Sequence, residues 1–467
     1  MAAAAQARAP ETDAAIAELA RLLGERLSTS QAVRDQHGKD ISYHEAMPPD
    51  AVAFAESVDE VVAIVKVCAR HKVPIVPYGT GTSLEGHIAA VKGGVCVDVS
   101  RINRVLKVNA EDLDVVVEPG VTRKQLNEYI RDTGLFFPID PGADASIGGM
   151  ASTRASGTNA VRYGTMRENV LALKVVTPDG RLIRTGRRAR KSSAGYDLTK
   201  LFVGSEGTLG IVVEVTLRLY GIPESVAAAT CSFDSLDGAV NTVIQTIQSG
   251  VPVARIELLD DIHVDALNRY SKLTLPVKDL LLLEFHGTEA GVKEQAAMVQ
   301  ALAAENGGAD FAYAAEPEAR SKLWQARHDA AWAAKAMKPG AEIWATDVCV
   351  PISRLAECIL ETKKDIVAEG MLAPIVGHVG DGNFHVSFVL DPNDPEDQRK
   401  ASAINDRMVA RALALDGTCT GEHGVGLGKV QFLYEEHGEA VALMRAVKRA
   451  LDPDNIMNPG KIFGPLN

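Results

Sequence analysis

Three glycine-rich segments in the first 210 residues limit what the first part of this chain can fold into. The first runs from Pro77 to Gly86 after a short apolar strand, the second spans residues 141–159, and the third spans residues 203–210. Glycine allows backbone amides to approach a phosphate or a flat ligand closely. One such segment alone is usually an ordinary loop, but three in one domain favour a binding site for an elongated ligand.

The glycine spacing matches neither of the two common phosphate-binding loops. Gly79, Gly81 and Gly86 do not fit GxGxxG, so the sequence does not support a nicotinamide-binding Rossmann site. A P-loop starting at Gly81 is also excluded, because His87 and Ile88 occupy the positions where lysine and serine or threonine are required. The three segments therefore need another explanation.

Size, charge and cysteine placement indicate a multidomain protein of a reducing compartment. At 467 residues the chain exceeds the roughly 250–300 residues over which a single hydrophobic core extends. Its net charge of −12 argues against nucleic acid as a partner, because phosphate binding requires a basic face. The six cysteines form no CxxC pair, which argues against an iron–sulfur cluster or a structural zinc site and fits free thiols.

The sequence offers no recognisable targeting or membrane signal. Residues 1–10 have neither the charged start nor the apolar run of a secretory signal, and acidic residues follow at once. No stretch approaches the roughly 18 apolar residues of a membrane span. We therefore expect a cytoplasmic location, either in solution or peripheral to a membrane.

The order of predicted elements divides the chain into three segments and predicts an α+β protein. Residues 1–222 combine short strands and helices with a hairpin and one long strand. A β-α-β-β-α-β succession then predicts a ferredoxin-like antiparallel sheet as a cap within residues 223–415. Residues 416–467 are expected to return to the first domain. The cap strands are expected at residues 227–233, 254–259, 280–285 and 310–314, and its helices at 236–248 and 289–305.

Four motifs and the C-terminal sequence resemble one family of flavoproteins. The motifs PYGTGTSLEGH, PGADASIGGM, TNAVRYGT and VGSEGTLG, which begin at residues 77, 141, 158 and 203, resemble the FAD-binding domain of the vanillyl-alcohol oxidase family. The sequence from Leu451 to Lys461 is similar to the C-terminal signature of that family. Within the family, the resemblance is strongest to the FAD-dependent D-lactate dehydrogenases, which pass electrons to cytochrome c or another carrier.

The resemblance implies a two-subdomain FAD-binding domain of the p-cresol methylhydroxylase (PCMH) type that binds FAD noncovalently. The pyrophosphate would lie on the first glycine-rich segment and the middle of the cofactor on the second. Some members attach the flavin through a histidine near the first segment. His87 lies a few residues beyond that point, so we expect noncovalent binding and leave a link to His87 open. The residues that the resemblance assigns to FAD are Pro77, Tyr78, Gly79, Thr80, Gly81, Thr82, Ser83, Gly86, Pro141, Gly142, Ala143, Ser146, Gly148, Gly149, Ser156, Gly157, Asn159, Glu206, Gly207, Ile211 and Asn458.

The sequence between residues 375 and 388 indicates a metal site. Alternating apolar residues along its second half place His385 on the polar face of a strand. A glycine-containing turn allows His378 to converge with His385, and two neutral imidazoles suit a divalent cation. Glu422, in the sequence GEHG, would complete a His-His-carboxylate set with open positions for substrate, and His423 would act as a base.

The family resemblance adds roles for the remaining polar residues. It implies that these two motifs bind a metal, zinc or manganese, together with the substrate, and that Arg327 anchors the substrate carboxylate. A guanidinium suits that role because it grips a carboxylate through two parallel hydrogen bonds. A surface salt bridge is the plainer interpretation of Arg327. Asn383 is expected to orient the substrate hydroxyl or carboxylate.

Together the motifs and the resemblance predict oxidation of a small D-2-hydroxy acid, with D-lactate as the leading candidate. The hydride would pass to the flavin, and the electrons would then pass to cytochrome c, a quinone or another carrier. D-2-hydroxyglutarate is less favoured, because Ala345 stands where its dehydrogenase has a lysine. Oxidation of glycolate by a subunit of a larger complex stays open. Two alternatives come from other functional classes: a metal-dependent hydrolase and a noncatalytic binding module. A homodimer is a candidate oligomeric form.

Overall fold

A four-stranded sheet begins the part of the chain that the structure describes, residues 9–465. In the computed structural model, its strands are β1 (Leu27–Ser28), β2 (Ala51–Phe54), β3 (Ile75–Tyr78) and β4 (Val95–Asp98), and the helices nearby are α1 (Pro10–Leu23), α2 (Gln31–Gln36) and α3 (Val58–His71). The strand order is β1-β2-β4-β3, with β2 and β3 parallel to β4 and β1 antiparallel to β2. Strands β2 and β4 are apolar and buried almost throughout, as parallel strands with both faces covered are.

An antiparallel five-stranded sheet forms the second half of the first domain. The strands of this region are β5 (Val105–Asn109), β6 (Asp114–Val117), β7 (Leu135–Phe136), β8 (Val170–Val176), β9 (Leu182–Arg184), β10 (Ile211–Arg218) and β11 (Tyr220–Gly221). Its helices are α4 (Arg123–Ile130), α5 (Ile147–Thr153), α6 (Ala160–Tyr163), α7 (Met166–Asn169) and α8 (Leu198–Phe202). The sheet order is β5-β6-β10-β8-β9, and β7 pairs separately with β11. The predicted hairpin is β8 and β9, and the predicted long strand is β10.

An eight-stranded antiparallel sheet forms the cap. Its strands are β12 (Ser225–Phe233), β13 (Val253–Leu259), β14 (Asp279–Gly287), β15 (Gly308–Ala314), β16 (Glu342–Ala345), β17 (Val348–Cys349), β18 (Ile375–Gly377) and β19 (Asn383–Leu390). Its helices are α9 (Leu236–Gln248), α10 (Asp261–Ser271), α11 (Glu289–Glu305), α12 (Pro317–His328), α13 (Ala330–Ala336), α14 (Leu355–Glu369) and α15 (Pro395–Ala414). The order β15-β12-β14-β13 is the ferredoxin-like arrangement, which confirms the predicted cap architecture and the α+β class.

The sheet continues beyond the four predicted strands. Strand β18 pairs with β13, β19 pairs with β18, and β16 and β17 both pair with β19. Helix α10, between β13 and β14, was not predicted, because its apolar positions are few and its sequence is mostly polar. Helices α9 and α11 bury their apolar faces against one side of the sheet, in a core that includes Val243, Val299 and Phe285.

The C-terminal segment contacts the first domain. It contains α16 (Val430–His437) and α17 (Ala440–Leu451), and Met457 forms a parallel bridge with Ile75 of β3. The backbone N–H of Asn458 donates to the carbonyl oxygen of Ile75 at 2.8 Å. Met457 is completely buried in the core beneath the parallel sheet. The residues around Met457 therefore pack against the first domain.

The membrane and targeting expectations concern different parts of the chain. Within residues 9–465, no helix is long and apolar enough to cross a bilayer. The predicted absence of a secretory signal concerns residues 1–10, of which the first eight lie outside the described residues. The last two residues of the predicted segment 416–467 also lie outside them.

Replacing Lys448 by methionine is expected to loosen α17 from the first domain. Lys448 is 2% exposed, donates from Nζ to the carbonyl oxygens of Thr208 and Met457 at 2.8 and 2.9 Å, and pairs with Asp452. In K448M the buried Asp452 carboxylate loses its cation, and breaking a buried pair costs about 3–5 kcal/mol. Urea unfolding measures the loss. The control L443A, on an exposed position of the same helix, should stay within about 0.5 kcal/mol of the parent, and equal losses in both variants would contradict the prediction.

Candidate active site

A strand, a tight turn and a second strand bring His378 and His385 together. His378 follows β18 directly, and His385 is the third residue of β19. Between them Gly382 has a φ of +79°, and a Cβ at this position would overlap the carbonyl oxygen of Val350. Glycine is therefore required at this reversal. The two imidazole rings cross at nearly a right angle, with their centroids 5.3 Å apart.

Glu422 approaches both histidines from the GEHG loop. Its Oε1 lies 3.2 Å from Nε2 of His378 and 3.3 Å from Nε2 of His385. One candidate ligand atom from each of the three residues lies within 4.8 Å of the other two. The structure thus brings together the three residues that the sequence analysis selected as a set.

Hydrogen bonds on the far side of both rings direct the Nε2 atoms towards the centre of this set. Nδ1 of His378 lies 2.7 Å from Oε1 of Glu257, and Nδ1 of His385 lies 2.8 Å from the carbonyl oxygen of Thr346. Both partners are acceptors, so the ring proton belongs on Nδ1 and the lone pair of the neutral ring on Nε2. Metal-binding imidazoles are oriented in this way.

The surrounding charges favour a positive charge at the centre of the set. Burial lowers the pKa of His378, but Glu257 and Glu422 outweigh it and hold that pKa well above its ordinary value. Burial raises the pKa of Glu422, but His378 and His385 outweigh it and lower that pKa. The same carboxylates would stabilise a divalent cation at this position.

Asp347 fixes the loop that carries Glu422 and His423. Its side chain is completely buried, and Oδ2 accepts the backbone N–H groups of Glu422 and His423, both at 2.9 Å, and the hydroxyl of Thr420 at 2.7 Å. Burial raises the pKa of Asp347, but Lys429 and the two nearest histidines outweigh it and hold the pKa well below its usual range. One ionised carboxylate therefore sets the conformation of the loop.

His423 lies beside the His-His-Glu set and is not part of it. Its ring stacks on His385, with centroids 5.1 Å apart and planes 9° apart. Its Nδ1 lies 3.7 Å from Oε1 of Glu85 and has no hydrogen-bond partner among the described residues. Burial raises the pKa of Glu85, but Lys429, His423 and His44 outweigh it and lower that pKa to about 2. His423 is thus an imidazole whose Nδ1 makes no hydrogen bond within the described residues and faces the ionised carboxylate of Glu85.

Arg327 reaches the site from the last turn of α12 with one edge of its guanidinium already paired. Nε and Nη2 lie 2.8 and 2.6 Å from Oε2 of Glu257. The two side chains are 12% and 1% exposed, so this is a buried pair and not the surface salt bridge considered above. The edge formed by Nη1 and Nη2 is the one that can still bind a carboxylate in two parallel hydrogen bonds.

Asn383 has only its amide oxygen available. Its Nδ2 donates to Oδ1 of Asp347 at 2.7 Å and to the carbonyl oxygen of Val348 at 2.8 Å, which uses both amide hydrogens. Its Oδ1 is buried without a hydrogen-bond partner in the described part of the chain. Of the two expected roles, orienting a hydroxyl fits this arrangement, whereas binding a carboxylate would need a free N–H.

The three glycine-rich segments approach one another closely at Gly79 and Gly207. A Cβ on Gly79 would overlap Oγ of Ser146, and a Cβ on Gly207 would lie 2.9 Å from Cγ of Pro77. The hydroxyl of Ser146 is buried, and within residues 9–465 it has no hydrogen-bond partner. A buried unpaired hydroxyl at such a junction suits a polar ligand.

Glu206 connects the third segment to the GEHG loop, and Asn458 connects the C-terminal segment to the first domain. Glu206 accepts the backbone N–H groups of Val425 and Gly426 at 2.7 and 2.9 Å. Asn458 donates to the carbonyl oxygens of His87 and Glu206 at 3.0 and 2.8 Å. Glu206 therefore holds the GEHG loop against the third segment, and Asn458 holds the C-terminal segment against the first domain.

The other residues assigned to FAD lie in the three segments or directly beside them. Asn159 donates to the carbonyl oxygen of Pro138 at 2.9 Å and accepts from Nε of Arg255 at 3.0 Å, and Ser83 donates to Asp40 at 2.9 Å. The rest lie in the three segments or at their ends: Tyr78, Thr80, Gly81, Thr82, Gly86, Pro141, Gly142, Ala143, Gly148, Gly149, Ser156, Gly157 and Ile211.

His87 is buried beneath the GEHG loop. Its Nε2 lies 3.3 Å from Oε2 of Glu206, and a Cβ on Gly424 would lie 2.8 Å from the same nitrogen. Burial lowers the pKa of His87, but Glu206 outweighs it and raises that pKa. The ring is therefore in contact with the protein on the side where the loop passes, and noncovalent binding of FAD stays a prediction.

Sequence reasoning missed three buried carboxylates that orient the site: Glu257, Asp347 and Glu85. Glu257 stands between apolar residues in the sequence Arg-Ile-Glu-Leu-Leu of β13, and Asp347 follows β16. An ionisable residue inside an apolar strand is a detectable signal, because such a group is rarely buried without partners. The identity of those partners is not encoded in the local sequence.

Comparison with known proteins identifies the family. Residues 49–186 match the family described as FAD binding domain, and residues 222–462 match the family described as FAD linked oxidases, C-terminal domain. The chain belongs to the FAD-linked oxidases. The family predicted from the glycine-rich motifs is thereby confirmed, and so is the use of FAD.

Relatives of this FAD-linked oxidase cover most of its length. It is 55% identical to the probable mitochondrial D-lactate dehydrogenase of Danio rerio over 94% of the chain and 89% of that protein. It is 50% identical to the mitochondrial D-lactate dehydrogenase [cytochrome] of Arabidopsis thaliana over 96% of the chain and 80% of that protein. Identity to the glycolate oxidase subunit GlcD of Bacillus subtilis is 34%, over 94% of both chains.

Solved structures share the fold at low sequence identity. A p-cresol methylhydroxylase structure with bound substrate superposes with a TM-score of 0.80 at 19% identity and covers 98% of both chains. An alkyldihydroxyacetonephosphate synthase structure superposes with a TM-score of 0.74 at 20% identity over 97% of this chain and 85% of the other. The predicted FAD-binding fold of the p-cresol methylhydroxylase type is confirmed.

The predicted cytoplasmic location is wrong. The D-lactate dehydrogenases from Danio rerio, Arabidopsis thaliana and Saccharomyces cerevisiae that match this chain are named as mitochondrial, which contradicts it. The prediction rested on scattered free thiols and on a missing signal. Free thiols indicate a reducing environment, but they do not identify the subcellular compartment.

Replacing Gly382 by alanine is expected to separate His378 from His385. The new Cβ overlaps the carbonyl oxygen of Val350, so the turn must shift. The control G307A has the same φ of +79° and open space around its Cβ, so it carries only the left-handed strain of roughly 1–2 kcal/mol. Titration of chelator-treated protein with Zn²⁺ by calorimetry should give a Kd about tenfold or more above the parent for G382A only. A Kd for Zn²⁺ in G382A equal to that of the parent would contradict the claim that Gly382 is needed to bring His378 and His385 together.

Proposed function

We propose that this chain is an FAD-dependent D-2-hydroxy acid dehydrogenase that oxidises D-lactate to pyruvate. One observation carries the proposal: the His-His-Glu set, the imidazole of His423 and the guanidinium of Arg327 converge in a single buried site. Membership of the FAD-linked oxidases supplies the oxidant, and two relatives that match 94% and 96% of the chain are named D-lactate dehydrogenases. Membership of that family also disfavours a metal-dependent hydrolase.

A divalent cation, zinc or manganese, fits the His-His-Glu set. His378 and His385 offer their Nε2 atoms and Glu422 offers a carboxylate oxygen. Three protein ligands leave coordination positions open for a substrate. When bound, the cation would act as a Lewis acid on the 2-hydroxyl of the substrate.

FAD fits the junction of the three glycine-rich segments. Support comes from the close approach of Gly79 to Ser146 and from the unpaired Ser146 hydroxyl. Glu206 ties the third segment to the loop that carries His423, which supports a cofactor next to the catalytic residues. When bound, FAD would accept the hydrogen of the substrate C2 as hydride.

Three side chains would act on the substrate itself. Arg327 would bind the carboxylate through its Nη1 and Nη2 edge, because Glu257 occupies the other edge. Asn383 would orient the 2-hydroxyl by accepting its hydrogen bond at Oδ1 before the proton passes to His423. His423 would take the hydroxyl proton at Nε2, since a proton on Nδ1 faces Glu85.

Glycolate is the second candidate substrate, because one relative is named a glycolate oxidase subunit. It presents the same carboxylate and hydroxyl as D-lactate. D-2-hydroxyglutarate is less favoured, since Ala345 offers no charge to a second carboxylate. Cytochrome c, a quinone or another carrier would take the electrons, and the name of the Arabidopsis thaliana relative specifies a cytochrome.

We also infer that residues 1–222 form the FAD-binding domain, residues 223–415 the cap, and residues 416–467 a segment that returns to the first domain. The bridge between Ile75 and Met457 supports this division. A homodimer stays a prediction.

The substrate assignment predicts which acids bleach the flavin under anaerobic conditions. D-lactate should bleach the flavin absorbance of the purified yellow protein faster than glycolate or D-2-hydroxyglutarate, and L-lactate should not bleach it, because the carboxylate and hydroxyl anchors fix one face of C2. Chelator should abolish bleaching, and Zn²⁺ or Mn²⁺ should restore it. A colourless protein, or bleaching that chelator leaves unchanged, would contradict the proposal.

Arg327→Lys should raise the KM for D-lactate more than it lowers kcat. Lysine offers a point charge in place of the two parallel donors, and a hydrogen bond to a charged group is worth roughly 1.5–3 kcal/mol, or about 10–100-fold in affinity. Steady-state kinetics with an artificial electron acceptor measures the change. Arg320→Lys is the matched control, because Arg320 lies on α12 but donates to the carbonyl oxygens of Val226 and Ala315. An unchanged KM in the Arg327 variant would refute this anchor.

A further inference from the structure

Glu257 joins two groups that the proposed reaction uses separately. It lies on β13 and is completely buried. Its Oε1 is 2.7 Å from Nδ1 of His378, and its Oε2 is 2.8 and 2.6 Å from Nε and Nη2 of Arg327. Leu258 pairs with Gly377, so β13 runs directly beside the strand that leads to His378. One side chain thus connects the β-sheet of the cap to α12 at the site.

Both contacts require an acceptor from Glu257. Arg327 has donors only, and His378 must keep its proton on Nδ1 if Nε2 is to bind a cation. A carboxylate offers one acceptor oxygen to each side. An amide of the same size offers an acceptor to one side and a donor to the other, so it satisfies only one of the two partners.

The surroundings of Glu257 suit a carboxylate. Nε and Nη2 of Arg327 bring a positive charge to Oε2, and Nδ1 of His378 faces Oε1. Leaving a buried charge without one of its partners is strongly destabilising, so Glu257 favours the arrangement in which His378 and Arg327 both stay in contact with it.

We propose that Glu257 is a positioning residue that couples the metal site to the carboxylate anchor of the substrate. This inference rests on the proposed function. One oxygen sets the tautomer and the ring orientation of His378, and the other turns Arg327 so that its free edge faces the substrate. Substitution of Glu257 therefore changes the affinity for metal and for substrate, although Glu257 touches neither.

The neighbouring strand provides a matched control. Glu284 on β14 is also buried, lies 2.8 Å from Nε2 of His286, and lies 3.5 Å from Nε of Arg255. It repeats the Glu-His-Arg arrangement without contact to the His-His-Glu set. Glu284→Gln therefore reproduces the structural cost of neutralising such a carboxylate and leaves the metal site untouched.

The test compares the flavin-loaded parent protein with Glu257→Gln, Glu257→Ala and Glu284→Gln. After chelator treatment, calorimetric titration gives the Kd for Zn²⁺ in the absence of substrate. After metal is restored, steady-state kinetics gives KM and kcat for D-lactate. Flavin absorbance and far-UV circular dichroism verify that each variant is folded.

The expected pattern distinguishes positioning from a general loss of structure. Glu257→Gln should raise either the Kd for Zn²⁺ or the KM for D-lactate by about 10–100-fold, depending on which partner the amide oxygen serves. Glu257→Ala should raise both, and Glu284→Gln should raise neither. If Glu257→Ala does not fold, the glutamine variant alone decides.

Three outcomes would overturn the inference. The first is a Glu257→Gln protein with the Zn²⁺ Kd and the KM of the parent. The second is a Glu284→Gln protein whose Kd for Zn²⁺ and KM for D-lactate rise as much as those of Glu257→Ala. That result would indicate a general structural effect. In both cases the parent still binds Zn²⁺ and oxidises D-lactate, so the proposed function survives. A parent that binds no Zn²⁺ would overturn the proposed metal site and this inference together.

Discussion

A carboxylate buried in a protein must be surrounded by donors, and this constraint determines the geometry of the site. Asp347 and Glu257 have no exposed surface, and an unpaired charge in such a position would be strongly destabilising. Asp347 gathers the backbone amides of the loop that carries Glu422 and His423, whereas Glu257 gathers His378 and Arg327. Two buried charges thus fix the direction of four functional groups.

The GEHG loop is held by parts of the chain that are far apart in sequence. Asp347 binds it from the cap, and Glu206 binds it from the third glycine-rich segment. The carbonyl oxygen of Glu85, in the first segment, accepts the N–H of Leu427 at 2.7 Å. The loop therefore reaches this conformation only when the C-terminal segment lies on the first domain. The geometry of the site belongs to the assembled fold and not to one motif.

The strands that extend the ferredoxin-like sheet carry most of the candidate chemistry. The four strands β12 to β15 complete the regular motif, and β13 contributes Glu257 to it. His378 and His385 come from the added strands β18 and β19 and the turn between them, and Thr346 and Asp347 lie between β16 and β17. Proteins at 19–20% identity share the overall fold, but a fold alone does not specify the reaction. Here the added strands and the GEHG loop supply the specific side chains.

The sequence by itself determined the elements and residue types that depend on local patterns. Periodicity predicted the cap succession, and the resemblance of the glycine-rich motifs to a flavoprotein family implied an FAD-binding domain. The convergence of His378 and His385 could also be predicted, because they lie seven residues apart across a turn. Only the tertiary structure decided which groups orient the site. Glu257 is 121 residues from His378, and Glu206 is 219 residues from Val425. Pairing of buried charges depends on which surfaces exclude water after folding, and that property is not contained in any local stretch of sequence.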